Sequence, residues 1–115
     1  MLFHTEKGII AVSNDAIANI AGNAAAGCVG VRGLTITSVR DGLAHLLKRE
    51  AMAVGVDVSD HGDGTVDLTI RIAVDNGVSI PMVCENIRNE VSYHVQNATG
   101  IPVSQVHIFV DSVKG

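Results

Sequence analysis

The chain has 115 residues, 47% of them hydrophobic and only 3% aromatic, with a formal net charge of −4. That length makes one domain, residues 1–115, and that composition builds its core from Ala, Val, Ile and Leu. The acidic balance argues against a general nucleic-acid binder, which needs a basic face to release counterions.

Two cysteines, Cys28 and Cys84, are too few for a disulfide scaffold in a chain this small and read as reduced core residues. The opening MLFHTEK has no basic n-region followed by an apolar run, so no signal peptide is expected. The most apolar window, residues 16–31, contains Asn19, Asn23 and three glycines. It falls short of the ~20 apolar residues a membrane span requires.

Taken in chain order, residues 8–12 (GIIAV) read as a short strand. Ser13 is a strong N-cap residue, and Asp15 falls in the first turn, where the helix dipole favours an anion. Ile17, Ile20, Ala21, Ala24 and Cys28 recur at helical spacing and predict a helix of about 13 residues. Ala18, Gly22 and Ala25 form a small-residue line on it. A mid-helix glycine costs roughly 1 kcal/mol against alanine, so Gly22 implies close approach of another element. Tight packing within the chain is the favoured reading, and an interaction surface for another subunit the alternative.

Gly27, Gly30 and Gly33 then interrupt the helix. Val29, Val31 and Leu34 suggest a strand with a bend over residues 29–36. A shorter helix is expected over residues 39–50, with Val39, Leu43, Leu46 and Leu47 inward and Gly42 weakening it. Val54, Val56 and Val58 alternate as a strand, and the turn-rich DHGDG of residues 60–64 joins it as a hairpin to TVDLTIRIAV, residues 65–74. That segment alternates apolar and polar with period two, the sign of a strand with one wet face.

A long helix follows. Ser79 can cap it, and Pro81 sits in the first turn, where its missing N–H costs nothing. Ile80, Val83, Cys84, Ile87, Val91, His94 or Val95, and Ala98 mark its apolar face. Gly100 fits a left-handed cap and Pro102 blocks continuation. Val103, Val106, Ile108 and Val110 form the last strand. A strand–helix–strand unit of this length returns its second strand parallel to the first. These elements predict an α+β domain of two layers, with a mixed or mostly antiparallel sheet and helices packed on one face.

The search for chemistry is mostly negative. Gly30-Val31-Arg32-Gly33 is a GxxG sequence with a basic residue inside. In KH domains such a loop clamps a nucleic-acid backbone, so Gly30, Arg32 and Gly33 are the candidate site of an alternative, RNA-binding reading. A glycine turn after a helix is the plainer interpretation. The five histidines (His4, His45, His61, His94, His107) show no paired ligand spacing, and Asp60-x-x-Asp63 lacks the remaining ligands of a calcium loop. No metal and no cofactor is expected. No nucleophile elbow or phosphate loop is present, so no catalytic residue is assigned. The chain reads as a non-enzymatic protein, with a regulatory subunit of an enzyme as a further alternative.

Several segments together resemble one family. They are GIIAVSNDAIANIAGNAA (residues 8–25), CVGVRGL (28–34), DGLAHLL (41–47), VDNGVSIPMVCENI (74–87) and TGIPVSQVHIFV (99–110). In this order they are similar to the alkaline-shock-protein, or envelope stress response, family of Gram-positive bacteria. The resemblance implies a cytoplasmic protein lying at the cell periphery and linked to envelope stress. Some relatives self-associate, and some are held by a small membrane-anchor protein. The chain carries no long acidic or polar tail and is similar to the short, housekeeping-type members, which argues against stress induction and large filaments. The implied role is a binding or scaffolding module in envelope homeostasis. Its expected partners are proteins, another copy included. Neither nucleic acid nor direct membrane insertion is expected.

Overall fold

A computed structural model describes residues 2–5, 8–37, 44–46 and 55–111. Its elements are β1 (Leu2–Thr5), β2 (Gly8–Ala11), α1 (Asn14–Ala26), β3 (Val31–Thr37), β4 (Ala44–Leu46), β5 (Val56–Asp60), β6 (Val66–Val74), α2 (Ile80–Thr99) and β7 (Val103–Val110). β1 and β2 form a separate antiparallel hairpin.

β6 is the centre of the main sheet. Along one side it pairs in parallel with β7 from Val66 to Ile72. Along the other it pairs antiparallel first with β5 and then with β3. The far end of β3 carries the three-residue β4. The sheet is therefore mixed, and the parallel pair encloses α2 as the sequence predicts.

The period-two pattern of β6 sorts its side chains between two environments. Val66, Leu68, Ile70 and Ile72 are fully buried, while Asp67, Thr69 and Arg71 on the opposite face are half-buried. The buried row meets α2 through Val83, Ile87, Val91 and Val95, one residue per turn, and α1 through Ile17, Ala18, Ala21 and Ala25. At roughly 1.5–3 kcal/mol for each large aliphatic side chain removed from water, this two-layer contact dominates the favourable side of folding.

Both helices begin and end largely as their sequences dictate. The Ser13 hydroxyl accepts from the Ala16 N–H at 3.1 Å. Gly100 takes a left-handed φ of 77° and its N–H donates to the Gln96 carbonyl. Ser79, by contrast, occupies the N-cap of α2 without a side-chain capping bond. Pro81 stands at the helix start as expected.

Three sequence expectations are corrected, and one strand is added. Residues 44–46 of the expected 39–50 helix are a strand, with Thr35 opposite Leu46, and Leu46 is exposed; the remainder of 39–50 lies outside the described residues. Pairing with the otherwise open end of β3 outweighs a helical pattern already weakened by Gly42. β1 has no counterpart in the sequence reading. Val29, expected in the strand, is exposed in the turn before it. On α1 Ile17 and Ala21 are buried as expected, but the buried face continues through Ala18, Gly22 and Ala25, while Ile20, Ala24 and Cys28 are only half-buried.

Candidate functional site

The two residue sets singled out in the sequence resolve differently from their functional readings. A KH-type GxxG is a loop between helices. Here Gly30 ends the turn after α1, and Val31, Arg32 and Gly33 already belong to β3, with Gly33 opposite Ala73 across a β-bulge. The expected placement in a loop between helices is therefore corrected: Val31 and Gly33 are in the sheet ladder, with exposed Arg32 at the bulge between them. The two glycines have distinct reasons to be glycine. Gly30 has φ +90°, and a Cβ there would lie 3.0 Å from Val83 Cγ2. Gly33 would meet only the Leu46 side chain, at 3.2 Å. Gly30→Ala should accordingly cost ~1–3 kcal/mol through backbone strain, and Gly33→Ala clearly less. Equal shifts in melting temperature would contradict this.

The small-residue line of α1 is also spoken for. Ala18 and Ala25 are 3% and 0% exposed, and Gly22 is buried with them. Close approach is real, but it serves packing of α1 within the chain, so this line is not a free interaction surface.

The hairpin of residues 60–64 is a self-contained polar turn. Asp60 Oδ1 accepts the Gly62 N–H at 2.8 Å, Asp63 Oδ1 accepts the Thr65 N–H at 3.1 Å, and the Thr65 hydroxyl donates to the same oxygen. His61 Nδ1 bonds Asp67 Oδ2 at 2.8 Å. That hydrogen bond, then the Asp67 charge, raises the histidine above its ordinary 6.5, while the Thr65 hydroxyl holds the Asp63 carboxyl below 3.8. The signs follow by linkage. The His61 contribution to stability is present below 6.5 and fades as pH rises through its raised folded value. The Asp63 contribution is present above 3.8 and is lost as pH falls through its depressed value. Asp67→Asn should return the His61 proton titration, followed by NMR, towards 6.5. An unchanged titration would show that the pair does not form.

The opposite face of the sheet holds a polar staple that joins three strands. Asp111, just past β7, accepts the Thr35 hydroxyl at 2.6 Å and both Nε and a terminal nitrogen of Arg71 at 3.1 Å. The Arg71 guanidinium also lies 5.4 Å from the ring centre of Phe109, its opposite number on β7. Phe109 is half-exposed, and Gln105 and His107 on the same face are exposed.

The feature best suited to contact is the outer edge of β7. Among the described residues β7 pairs with β6 alone. The Asp111 N–H donates to the Ile72 carbonyl on β6. By strand alternation, Val106, Ile108 and Val110 therefore aim their N–H and C=O groups at the free edge. The Val106 carbonyl agrees: it accepts from Arg88 Nε on α2, at 3.4 Å. Arg88, Asn89 and Ser92 of α2 and residues 104–107 of β7 line a groove of about 480 Å³ along this edge. The eight residues of β7 contain no Asp, Glu, Lys, Arg or Pro. Sequence reasoning found the strand but not its position at the edge. The missing charges were visible, but edge position is set by topology.

A second groove, of about 600 Å³, runs between the end of α1 and α2 and is lined by Asn23, Cys28, Asn86, Glu90 and His94 among others. Burial pushes the Cys28 thiol up, which makes it less nucleophilic. Among the described residues no three His, Cys, Asp or Glu side chains are grouped as metal ligands. No described helix is long and apolar enough to cross a membrane.

Comparison with known proteins places this geometry. An uncharacterized protein of Bacillus subtilis (strain 168), YloU, is 34% identical over 111 residues, covering 96% of this chain and 92% of that protein. An uncharacterized protein of Streptococcus pyogenes serotype M6 is 30% identical over 112 residues, with the same coverages. Among solved structures, a doubly substituted MamM CTD matches with a TM-score of 0.55 over 88% of this chain and 83% of that one. The nickel form of another MamM CTD variant matches with a TM-score of 0.50, over 88% and 99%. At 17% identity both are likenesses of fold alone. The profile of the alkaline shock protein 23 family, described by its cell envelope-related function, matches residues 3–115. With nearly the whole chain matched by that profile, and relatives of similar length in two species, this protein belongs to the alkaline shock protein 23 family and to its envelope-related function.

Proposed function

We propose that this domain is a non-enzymatic binding and scaffolding module of cell-envelope homeostasis, that it lies at the cell periphery through protein contacts, and that the free edge of β7 is its working surface. The observation carrying this reading is that, among the described residues, the outer edge of β7 has no partner strand and carries only the Arg88 side chain on the Val106 carbonyl. Exposed edges are normally blunted by charges, proline or shortness, because their unpaired backbone groups recruit other strands. β5, the edge on the other side of β6, carries Asp57 and Asp60 within five residues. β7 has eight residues and no such device. Edge pairing supplies affinity through main-chain hydrogen bonds, with side-chain contacts adding selectivity. The partner class is thus a protein that offers an extended strand, such as a small membrane anchor.

Lipid is not the docking material in this reading, because acidic surfaces are repelled by anionic headgroups and the net charge is −4. Two measurements test it. The purified protein should stay at the bottom of a flotation gradient with phosphatidylglycerol vesicles, and strong flotation would overturn the partner-borne reading. In fractionated cells, His107→Lys, which puts a charge on the edge strand, should move the protein out of the envelope fraction. Retention of that variant would show that the edge is not the contact.

A further inference from the structure

We propose that the strand seated on the β7 edge belongs to a different protein and carries an aspartate or glutamate that docks on Arg88. The proposal rests on the edge being the working surface and names the chemistry of what that edge takes.

Arg88 is a cation without an acid. It is exposed on α2, and among the described residues it forms no ion pair, although Glu85 stands one turn before it. Arg71, by contrast, is matched to Asp111. Arg88 Nε reaches the Val106 carbonyl at 3.4 Å, longer than most N–H···O bonds, and both terminal nitrogens are left over. The groove beside it, of about 480 Å³, is lined by no Asp or Glu. Asn89 and Ser92 of α2 and Ser104 of β7 line it with side chains that have no hydrogen-bond partner among the described residues. In a chain of net charge −4, an acid-free groove with an unmatched guanidinium is the place for an anionic group.

The edge fixes where that anion stands. Val106 turns its carbonyl to the free edge, and its side chain is buried in the core on the helix side of the sheet. A strand pairing antiparallel there sets one residue directly opposite Val106, with its side chain on the same face. That residue replaces Arg88 at the carbonyl with its own N–H, and its carboxylate takes the released guanidinium in a two-pronged pair. The Asn89 amide and the Ser92 hydroxyl are donors for the remaining carboxylate lone pairs. Two residues earlier in the incoming strand, the side chain opposite half-buried Ile108 is apolar. A phosphate also suits arginine, but it leaves the edge groups of Val106 and Ile108 unpaired, and only a peptide strand satisfies both. A second β7 cannot supply the acid, because β7 contains no Asp or Glu. The occupant is therefore a strand of another protein with the order apolar residue, any residue, acid.

The test sediments the purified full chain with envelope membranes from cells that lack it. The wild type should bind. Arg88→Gln, which keeps a polar side chain but removes the charge, should weaken binding by about tenfold or more at an unchanged melting temperature. Converting the carboxylates of the membranes to neutral amides, with a carbodiimide and glycinamide, should weaken wild-type binding to the same extent and leave Arg88→Gln unaffected. Equal binding by the wild type and Arg88→Gln overturns the proposal. So does wild-type binding that amidation leaves intact. Arg88-dependent binding to phosphatidylglycerol vesicles would overturn it in favour of lipid phosphate, and association of the purified chain that Arg88→Gln abolishes would overturn it in favour of a second copy. The two readings fail separately. If His107→Lys is lost from the membranes while Arg88→Gln stays, the edge is kept and the acid falls. If His107→Lys stays bound, the edge itself falls. A wild type that remains in solution removes both.

Discussion

Ile87→Ala is expected to destabilise the domain by ~2–5 kcal/mol, the range for truncating a large aliphatic side chain at a site that cannot collapse. Ile87 is fully buried in the stripe formed with Val83, Val91 and Val95. That stripe faces the buried row of β6 and the alanine side of α1. Neither neighbour can fill the gap, because the alanines are short and the β6 side chains are fixed by pairing on both sides. Met82→Ala on the same helix is the control: Met82 is 64% exposed and its loss should stay within about 0.5 kcal/mol. Chemical denaturation should show a lower midpoint with an unchanged slope for Ile87→Ala only. Equal midpoints for the two variants would mean that the helix face has been assigned wrongly.

The second large effect is expected at Asp111. Asp111→Ala removes the acceptor of the fully buried Thr35 hydroxyl and the partner of Arg71. Leaving a buried donor unsatisfied costs ~1–3 kcal/mol. The cost comes mainly from the orphaned hydroxyl, so Thr35→Val combined with Asp111→Ala should be less destabilising than the two single changes summed. Simple additivity in a double-mutant cycle would show that the hydroxyl and the carboxylate act independently.

These two sites differ in how far the sequence exposes them. The α2 stripe is written in its periodicity, and its capping glycine and first-turn proline fix the ends, so the helix and its buried face could be read directly. The alternation of residues 65–74 likewise announces β6, and the length of the crossover announces the parallel return of β7. The Thr35–Asp111–Arg71 staple is not legible. Its members are 76 and 40 positions apart, and their meeting depends on which strands flank β6. The expected helix over residues 39–50 fails, where it is described, for a related reason: residues 44–46 take strand form because β3 offers them a ladder, a non-local fact. The GxxG misleads because four residues cannot say whether they lie between two helices or enter a strand. The envelope-related family, by contrast, was legible from five segments in order, since their joint pattern is far more specific than any one of them.

The central claim is that the outer edge of β7 is where this domain meets its partner. Amide hydrogen exchange at Val106 and Ile108 tests it most directly, because their N–H groups face that edge. In dilute purified protein these amides should exchange fast compared with those of Gln105 and His107, which face β6. When envelope material is added, Val106 and Ile108 should become protected while α1 and the 60–64 hairpin stay unchanged. Fast exchange at both residues under every condition, with protection arising elsewhere on the surface, would contradict the account.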